Sequence, residues 1–360
     1  MKAISGKHAD PRKGRGAGIN PEGRFESTAR EAFDDGWDKP EEDLPPLKTQ
    51  VTEERVKTII SRNDSPDVPF TQSINPYQGC EHGCVYCYAR PSHAYRNLSP
   101  GIDFETRLFA KVNAAEALRD ELSRPGYRCE MISIGANTDP YQPVERQYRI
   151  TRGILEVCSQ FNQPIGIVTK NALVERDLDI LAPMARRNLA AVYVSCNNLD
   201  HDLARRLEPR CSAPARRLLA MQRVAEAGVP VGVLVAPVIP FLTDHEIEAV
   251  LEAAWARGAR DAGYIVMRLP WELKELFKEW LDRHYPLKAK HVMSRVRAMR
   301  GGRDNDPRFG SRMTGEGELA RLLEQRFAKA CARLGYNTGR RGAALDTAQF
   351  QVPRVQLSLF

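Results

Sequence analysis

At 360 residues with 42% apolar and 28% charged content, the chain can bury one large core or two moderate ones, which excludes a tail or a fibre. No apolar run approaches membrane-spanning length, and the basic opening (residues 1–24) lacks the apolar stretch of an export signal, so a cytoplasmic protein with no membrane association is expected. The net charge of +7 is regional: 15 Lys/Arg against 5 Asp/Glu from Arg283 to Arg341 gives +10, leaving −3 for the rest.

In chain order, residues 1–60 are rich in Gly, Pro and charge with little apolar periodicity, and predict a flexible N-terminal arm. Short β-branched runs then alternate with amphipathic segments. The runs at 131–135, 165–170, 191–196, 229–239 and 263–268 each suit a buried parallel strand. Helical periodicity falls at 113–122, 151–161, 175–187, 213–227 and 243–257, the last opening on Thr243 and Glu246 spaced as a capping box. Strand–helix alternation implies crossover connections and a parallel sheet covered by helices, either doubly wound or a full or partial barrel. After Arg268 the strand signals stop. Residues 272–281, 289–299 and 316–334 predict helices, with Leu319, Leu322, Leu323, Phe327, Ala330 and Leu334 on one stripe of the last.

The chemistry concentrates in NPYQGCEHGCVYCYARPSHAY, where Cys80, Cys84 and Cys87 stand as C-x3-C-x2-C on a glycine-flanked loop. Eight cysteines in a chain this long do not make a disulfide framework, and three crowded together point to a metal in a reducing compartment. Tetrahedral zinc or a closed cluster needs four protein ligands, and no other cysteine lies within forty residues. A zinc site would have to draw its fourth ligand from His82, His93 or Cys129. Three ligands on a four-iron cluster leave one iron open instead.

This spacing resembles the signature of the radical S-adenosylmethionine (SAM) superfamily, and Tyr86 before the last cysteine matches the aromatic of that family's loop. The resemblance implies an α/β fold, a partial (β/α) barrel of the radical SAM type, whose first strand would lie near Phe70 to Asn75. It implies a 4Fe-4S cluster on Cys80, Cys84 and Cys87 with the open iron chelating S-adenosyl-L-methionine. It places Tyr86, Thr138, Asp139, Ser195 and Arg210 around that cofactor: Thr138 and Asp139 at the methionine amino group, Ser195 facing the methionine, and Arg210 as a fork on the carboxylate. Read locally, Asn137 to Pro140 is equally an Asx turn, Ser195 and Lys170 are strand-end caps, and Arg210 is a surface arginine. The expected organisation is an arm over 1–60, a radical SAM core over 61–270, a basic helical extension over 271–346 and a tail over 347–360.

Within the superfamily, Pro66 to Arg268 most resembles bacterial proteins related to spore photoproduct lyase, which implies a lyase-like DNA repair reaction on an exposed or extruded base. The lyase needs a cysteine that returns a hydrogen atom. Cys196 and Cys211 lie near strand or loop ends but match no lyase motif, and Cys129, Cys158 and Cys331 read as small core residues. The chain ends in Gln356, Leu357, Ser358, Leu359 and Phe360, which resembles the peptide that docks bacterial proteins onto the DNA polymerase sliding clamp. The basic region and this tail favour DNA as partner, with an electron donor of the flavodoxin or ferredoxin type. An RNA-modifying radical enzyme and a non-enzymatic metal module recruited to the clamp are the alternatives.

Overall fold

The computed structural model describes residues 14–25, 47–337 and 344–353. Strands β1 (Gln50–Glu54), β2 (Ile60–Arg62), β3 (Gln72–Ile74) and β4 (Tyr77–Gln78) precede the cysteine loop, and a 3₁₀ segment, Arg90–Arg96, follows it. Helix α1 (Ile102–Thr106), β5 (Arg107–Lys111) and α2 (Ala114–Leu122) lead into the alternating core: β6 (Ile132–Ile134), α3 (Glu145–Tyr148), α4 (Ile150–Phe161), β7 (Ile165–Thr169), α5 (Leu178–Arg186), β8 (Ala190–Ser195), α6 (His201–Leu207), α7 (Pro214–Glu226), β9 (Val231–Val238), α8 (Ile247–Ala256) and β10 (Asp261–Val266). Three helices close the chain: α9 (Leu273–His284), α10 (Pro286–Ala298) and α11 (Gly317–Leu334).

The main sheet has seven strands in the order β10-β9-β8-β7-β6-β3-β2, all parallel except the edge pair β2–β3. From β3 to β10 spatial order follows chain order and never reverses. Each crossover therefore turns the same way, the helices gather on one face, and the sheet curves into a partial barrel rather than a doubly wound layer. Its helix-facing core is fully buried: Ile134, Ile165, Val192 and Val233 pack with Leu118, Ile154, Leu181 and Met221 in one cluster. Each such side chain contributes roughly 1.5–3 kcal/mol by leaving water.

Several local expectations change. The described parts of residues 1–60 are not a free arm. Arg15 and Ala17 are buried, with the Glu105 carboxylate accepting from the backbone N–H groups of Gly16 (2.9 Å) and Ala17 (2.8 Å), and β1 pairs with β5 in a second, three-stranded sheet that includes β4. Thr243 does not cap α8: its hydroxyl donates to Pro237 O and accepts from Ile239 N, tying the turn after β9, while Glu246 accepts from Leu199 N. Residues 172–177 form a 3₁₀ turn before α5. On α11, Leu322 is half exposed, while Ala320, Leu323, Phe327, Ala330 and Cys331 face the main core.

The basic C-terminal stretch packs onto the molecule. Phe277, Trp280, Val292 and Val296 of α9 and α10 share a second core with Val85 and Tyr86 of the cysteine loop. Many of its arginines are paired: Arg297 with Asp304, Arg308 with Asp306 and Glu316, Arg312 with Asp67, Arg326 with Glu248, and Arg333 with Glu252. Arg300 is fully buried and donates to the carbonyls of Val266, Met267, Ser311 and Arg312. Lys288, Lys290 and Arg295 of α10 are exposed, flanking the buried face of a helix without an acidic residue. Gln356 to Phe360 lie outside the described residues.

Candidate active site

The cysteine loop follows β3 and the short β4 of the second sheet, and bonds from Thr138 and Gln142 to the Gly79 carbonyl place it over the C-terminal end of β6. Gly79 and Gly83 adopt φ of 79° and 68°, and a Cβ on Gly83 would stand 2.7 Å from the Glu105 carboxylate, so the tight wrap requires glycine there. Arg90 holds the loop from inside. Its guanidinium, fully buried, donates to the carbonyls of Gly83 (3.1 Å), Cys84 (2.8 Å), Pro100 (3.1 Å) and Gly101 (2.9 Å) and to Glu105 (2.5 Å). Five charge-assisted bonds on one planar fork fix the positions of the sulfurs before anything binds them.

A second brace comes from the turn after β6. The Thr138 hydroxyl donates to Gly79 O (2.7 Å). Gln142 donates to the same carbonyl (3.2 Å) and accepts from Glu81 N (2.8 Å). Asp139 accepts from the Thr169 hydroxyl (2.7 Å), Lys170 N (2.7 Å) and Tyr141 N (2.9 Å), and lies 3.3 Å from His82 Nδ1, an ion-pair distance. Burial opposes the charge on Asp139, but His82 and these donors outweigh it and hold the carboxyl at about 2. Asp139 thus pins the β6 and β7 ends to the loop. Both predicted residues are at the site, but with hydrogen-bonding capacity committed to the protein.

The three sulfurs are near enough for Cys84 and Cys80 to act on Cys87. Cys80 and Cys84 are buried and Cys87 is partly exposed. Burial, followed by the charges of Cys84 and Cys80, pushes the Cys87 thiol up to about 12. A fourth sulfur, Cys211, lies 3.5 Å from that of Cys84; its hydrogen bond lowers the Cys84 pKa, while burial and the same contact raise that of Cys211. Lys170, at the end of β7, feels burial lowering its pKa, but Cys84, Cys211, Asp139 and Cys87 keep it above the ordinary lysine value. The residues following α6 clasp the loop from outside: Val85 N donates to Leu207 O (3.0 Å), Arg210 N donates to His82 O (3.2 Å), and the Arg210 guanidinium pairs with Glu81 at 3.0 Å.

The other predicted positions fall as follows. Arg210 stands beside the loop, with Glu81 as its partner. Tyr86 is buried and turned inward, its hydroxyl donating to Glu208, which is in turn paired with buried Arg217. Ser195 donates to Ala236 O (3.2 Å), a bond between the ends of β8 and β9. Of the alternative zinc partners, His82 lies in the loop, its ring nitrogens meeting Asp139 at 3.3 Å and Asn171 at 3.1 Å; His93 bonds Arg107 O (2.9 Å), and Cys129 precedes β6, at the opposite end of the strand from the loop, where its thiol donates to Gln163. Among the described residues, no three His, Cys, Asp or Glu side chains converge as a single-ion site.

The donor set, three cysteines of one loop, has the chemistry that a four-iron cluster with one open iron would take. Among the buried polar atoms without a hydrogen-bond partner, Asn197 Nδ2 and Asn198 Oδ1 follow β8 and Arg268 Nε follows β10. The sequence offered no signal for Asn197 or Asn198 beyond position after a strand; it marked Cys211 only as a cysteine near a strand or loop end, with nothing to place it beside Cys84.

Known proteins agree with this geometry. The Radical SAM superfamily profile matches residues 74–254, which is 181 of 360 residues. An uncharacterized protein of Mycobacterium bovis is 34% identical over 296 residues, 81% of this chain and 83% of its own length. An uncharacterized Methanocaldococcus jannaschii protein is 26% identical over 199 residues, 55% of this chain and 71% of its own. Among solved structures, spore photoproduct lyase complexed with dinucleoside spore photoproduct superposes with a TM-score of 0.58 at 17% identity, covering 79% of this chain and 80% of that one, a likeness of fold. A variant of that lyase with bound AdoMet and the same dinucleoside gives 0.52. The cysteine loop at the strand ends of a partial barrel and the matched profile together make this chain a member of the radical SAM superfamily, whose cofactors are a 4Fe-4S cluster and S-adenosylmethionine.

Proposed function

We propose that this chain is a DNA-directed radical SAM enzyme with a lyase-like repair activity. The observation that carries the reading is the braced three-cysteine loop at the open end of a barrel whose fold is that of spore photoproduct lyase. Cys80, Cys84 and Cys87 would hold the cluster, and Asn197, Asn198 and Arg268 would meet the polar groups of S-adenosylmethionine. When bound, this cofactor pair supplies reductive cleavage of the sulfonium to methionine and a 5'-deoxyadenosyl radical that takes a hydrogen atom from the substrate. Arg90 and Asp139 keep the loop in one geometry, and Lys170 places a positive charge beside the sulfurs.

DNA is favoured by the exposed cations Lys288, Lys290 and Arg295 of α10 and by the dinucleoside ligand of the lyase neighbour. Gln356 to Phe360 would dock on the sliding clamp, and a flavodoxin or ferredoxin in the cytoplasm would supply the electron. Reconstituted enzyme with dithionite, cofactor and ultraviolet-damaged DNA is expected to form 5'-deoxyadenosine in a DNA-dependent manner. Turnover stimulated by RNA alone would move the substrate to RNA, and cleavage indifferent to any nucleic acid would discard the proposal.

A further inference from the structure

Among the described residues, five aromatic side chains keep more than half of their surface exposed: Phe25 (53%), Tyr88 (51%), Tyr95 (71%), Trp271 (59%) and Phe309 (59%). They are not scattered. Phe25 and Tyr95 rings lie 5.2 Å apart, and the Arg24 guanidinium sits 5.4 Å from Phe25, 6.0 Å from Tyr95 and 4.2 Å from Trp271. Arg268 stands 5.8 Å from the Tyr88 ring, and Arg312 4.4 Å from that of Phe309, with Arg268 donating to Met313 Sδ across 3.5 Å.

Two chain segments carry most of this strip. Tyr88 and Tyr95 belong to the stretch after Cys87, and Arg268 and Trp271 to the stretch after β10, so the two lie side by side. One end of the strip is at the cofactor cleft, since Tyr88 adjoins Cys87 and its hydroxyl donates to Ala136 O beyond β6. The other end reaches outward to Phe25. Arg24 is fixed in place by an ion pair with Glu272 (2.9 Å) and a bond to Pro91 O (3.3 Å).

Such a surface is costly for a soluble chain that does not use it. Water contacts large apolar rings, and Trp271 adopts φ of 48°, a left-handed conformation that strains a bulky residue. Exposed rings braced by guanidinium groups suit single-stranded nucleic acid, because every base has a face to stack; with Arg24 and Arg312 paired to Glu272 and Asp67, their part is to hold the rings in place rather than to meet phosphate.

Resting on the DNA reading above, we propose that the strip from Phe25, Tyr95 and Trp271 to Tyr88 seats single-stranded DNA, stacking its bases and leading an unpaired nucleotide to the cysteine loop. The surface adds no bond-making step; it selects unpaired over duplex substrate, because only unpaired bases expose both faces.

Binding of a fluorescein-labelled twelve-nucleotide oligo-dT to the reconstituted holoenzyme, followed by anisotropy, tests this. Trp271→Ala and Tyr95→Ala are expected to weaken binding about fivefold to a hundredfold each. Trp271→Phe should stay within about threefold of wild type, since a smaller ring still stacks. Iron content and melting temperature check that each variant is folded. If the wild type binds and the alanine variants bind equally well, the strip is overturned while the DNA reading stands. If the wild type binds neither oligo-dT nor damaged duplex, both fall. Tighter binding of oligo-U than oligo-dT, or wild-type self-association abolished by Trp271→Ala, would likewise overturn the assignment of the strip to DNA.

Discussion

The sulfurs of Cys84 and Cys211 lie 3.5 Å apart although 127 residues separate them in the chain. Once Cys84 is a thiolate ligand it can only accept, so Cys211 must be the donor in this contact. A hydrogen bond to a ligand sulfur stabilises the reduced, more negative cluster. Cys211→Ala should therefore keep its iron but show a reduction potential lower by roughly 20–60 mV, the one-electron equivalent of one such bond. Cys211→Ser should recover part of the shift. Redox titration followed by electron paramagnetic resonance reads this; loss of iron in Cys211→Ala would instead make Cys211 a ligand.

Arg90 and Glu105 form a fully buried ion pair at 2.5 Å, and the same carboxylate anchors residues 16 and 17. Removing one partner leaves the other charged and buried. Arg90→Met should cost about 3–5 kcal/mol of stability and lower cluster occupancy, while Arg90→Met with Glu105→Gln should regain part of the loss. Urea unfolding of the three proteins gives the comparison, and an unchanged midpoint in Arg90→Met would remove the brace from the account.

His93 supplies a pH dependence. Burial holds its pKa at about 4, against 6.5 for the unfolded chain. The unfolded state therefore binds the proton first, so this residue's stabilising contribution is complete above pH 6.5 and is lost as pH falls toward 4. The loss is roughly 3 kcal/mol at the low end. Melting temperature should fall across that window less steeply in His93→Phe than in wild type; parallel curves would contradict this.

Deleting Gln356 to Phe360 should abolish binding to the sliding clamp and leave cofactor cleavage at the wild-type rate. Surface plasmon resonance against immobilised clamp decides it, and equal binding by the truncated chain would discard the docking role.

The barrel was legible because β6 through β10 are local apolar runs separated by amphipathic helices, so period and spacing place them within a few residues, whereas β3, the short Gln72–Ile74, was placed only by the family resemblance. The three-stranded sheet was not, because Gln50–Glu54 reads as a polar stretch and finds its partner β5 only through contacts more than fifty residues away. The cysteine spacing named the cofactor class. What surrounds it was less readable: Thr138 and Asp139 sit at the loop as expected, but Asp139 already receives bonds from Thr169, Lys170 and Tyr141. Tyr86 and Ser195 turn to protein partners. Cys211, Asn197 and the Arg24–Trp271 contact depend on elements brought together only by folding, which no local pattern encodes.

The central claim is that Cys80, Cys84 and Cys87 hold a cluster with one open iron. Anaerobic reconstitution of wild type and Cys84→Ala, scored for iron, sulfide and cofactor cleavage, tests it most directly. The account predicts about four irons and four sulfides with cleavage in wild type, and loss of both in the variant. Full cleavage by Cys84→Ala, or zinc without labile sulfide in wild type, would contradict it.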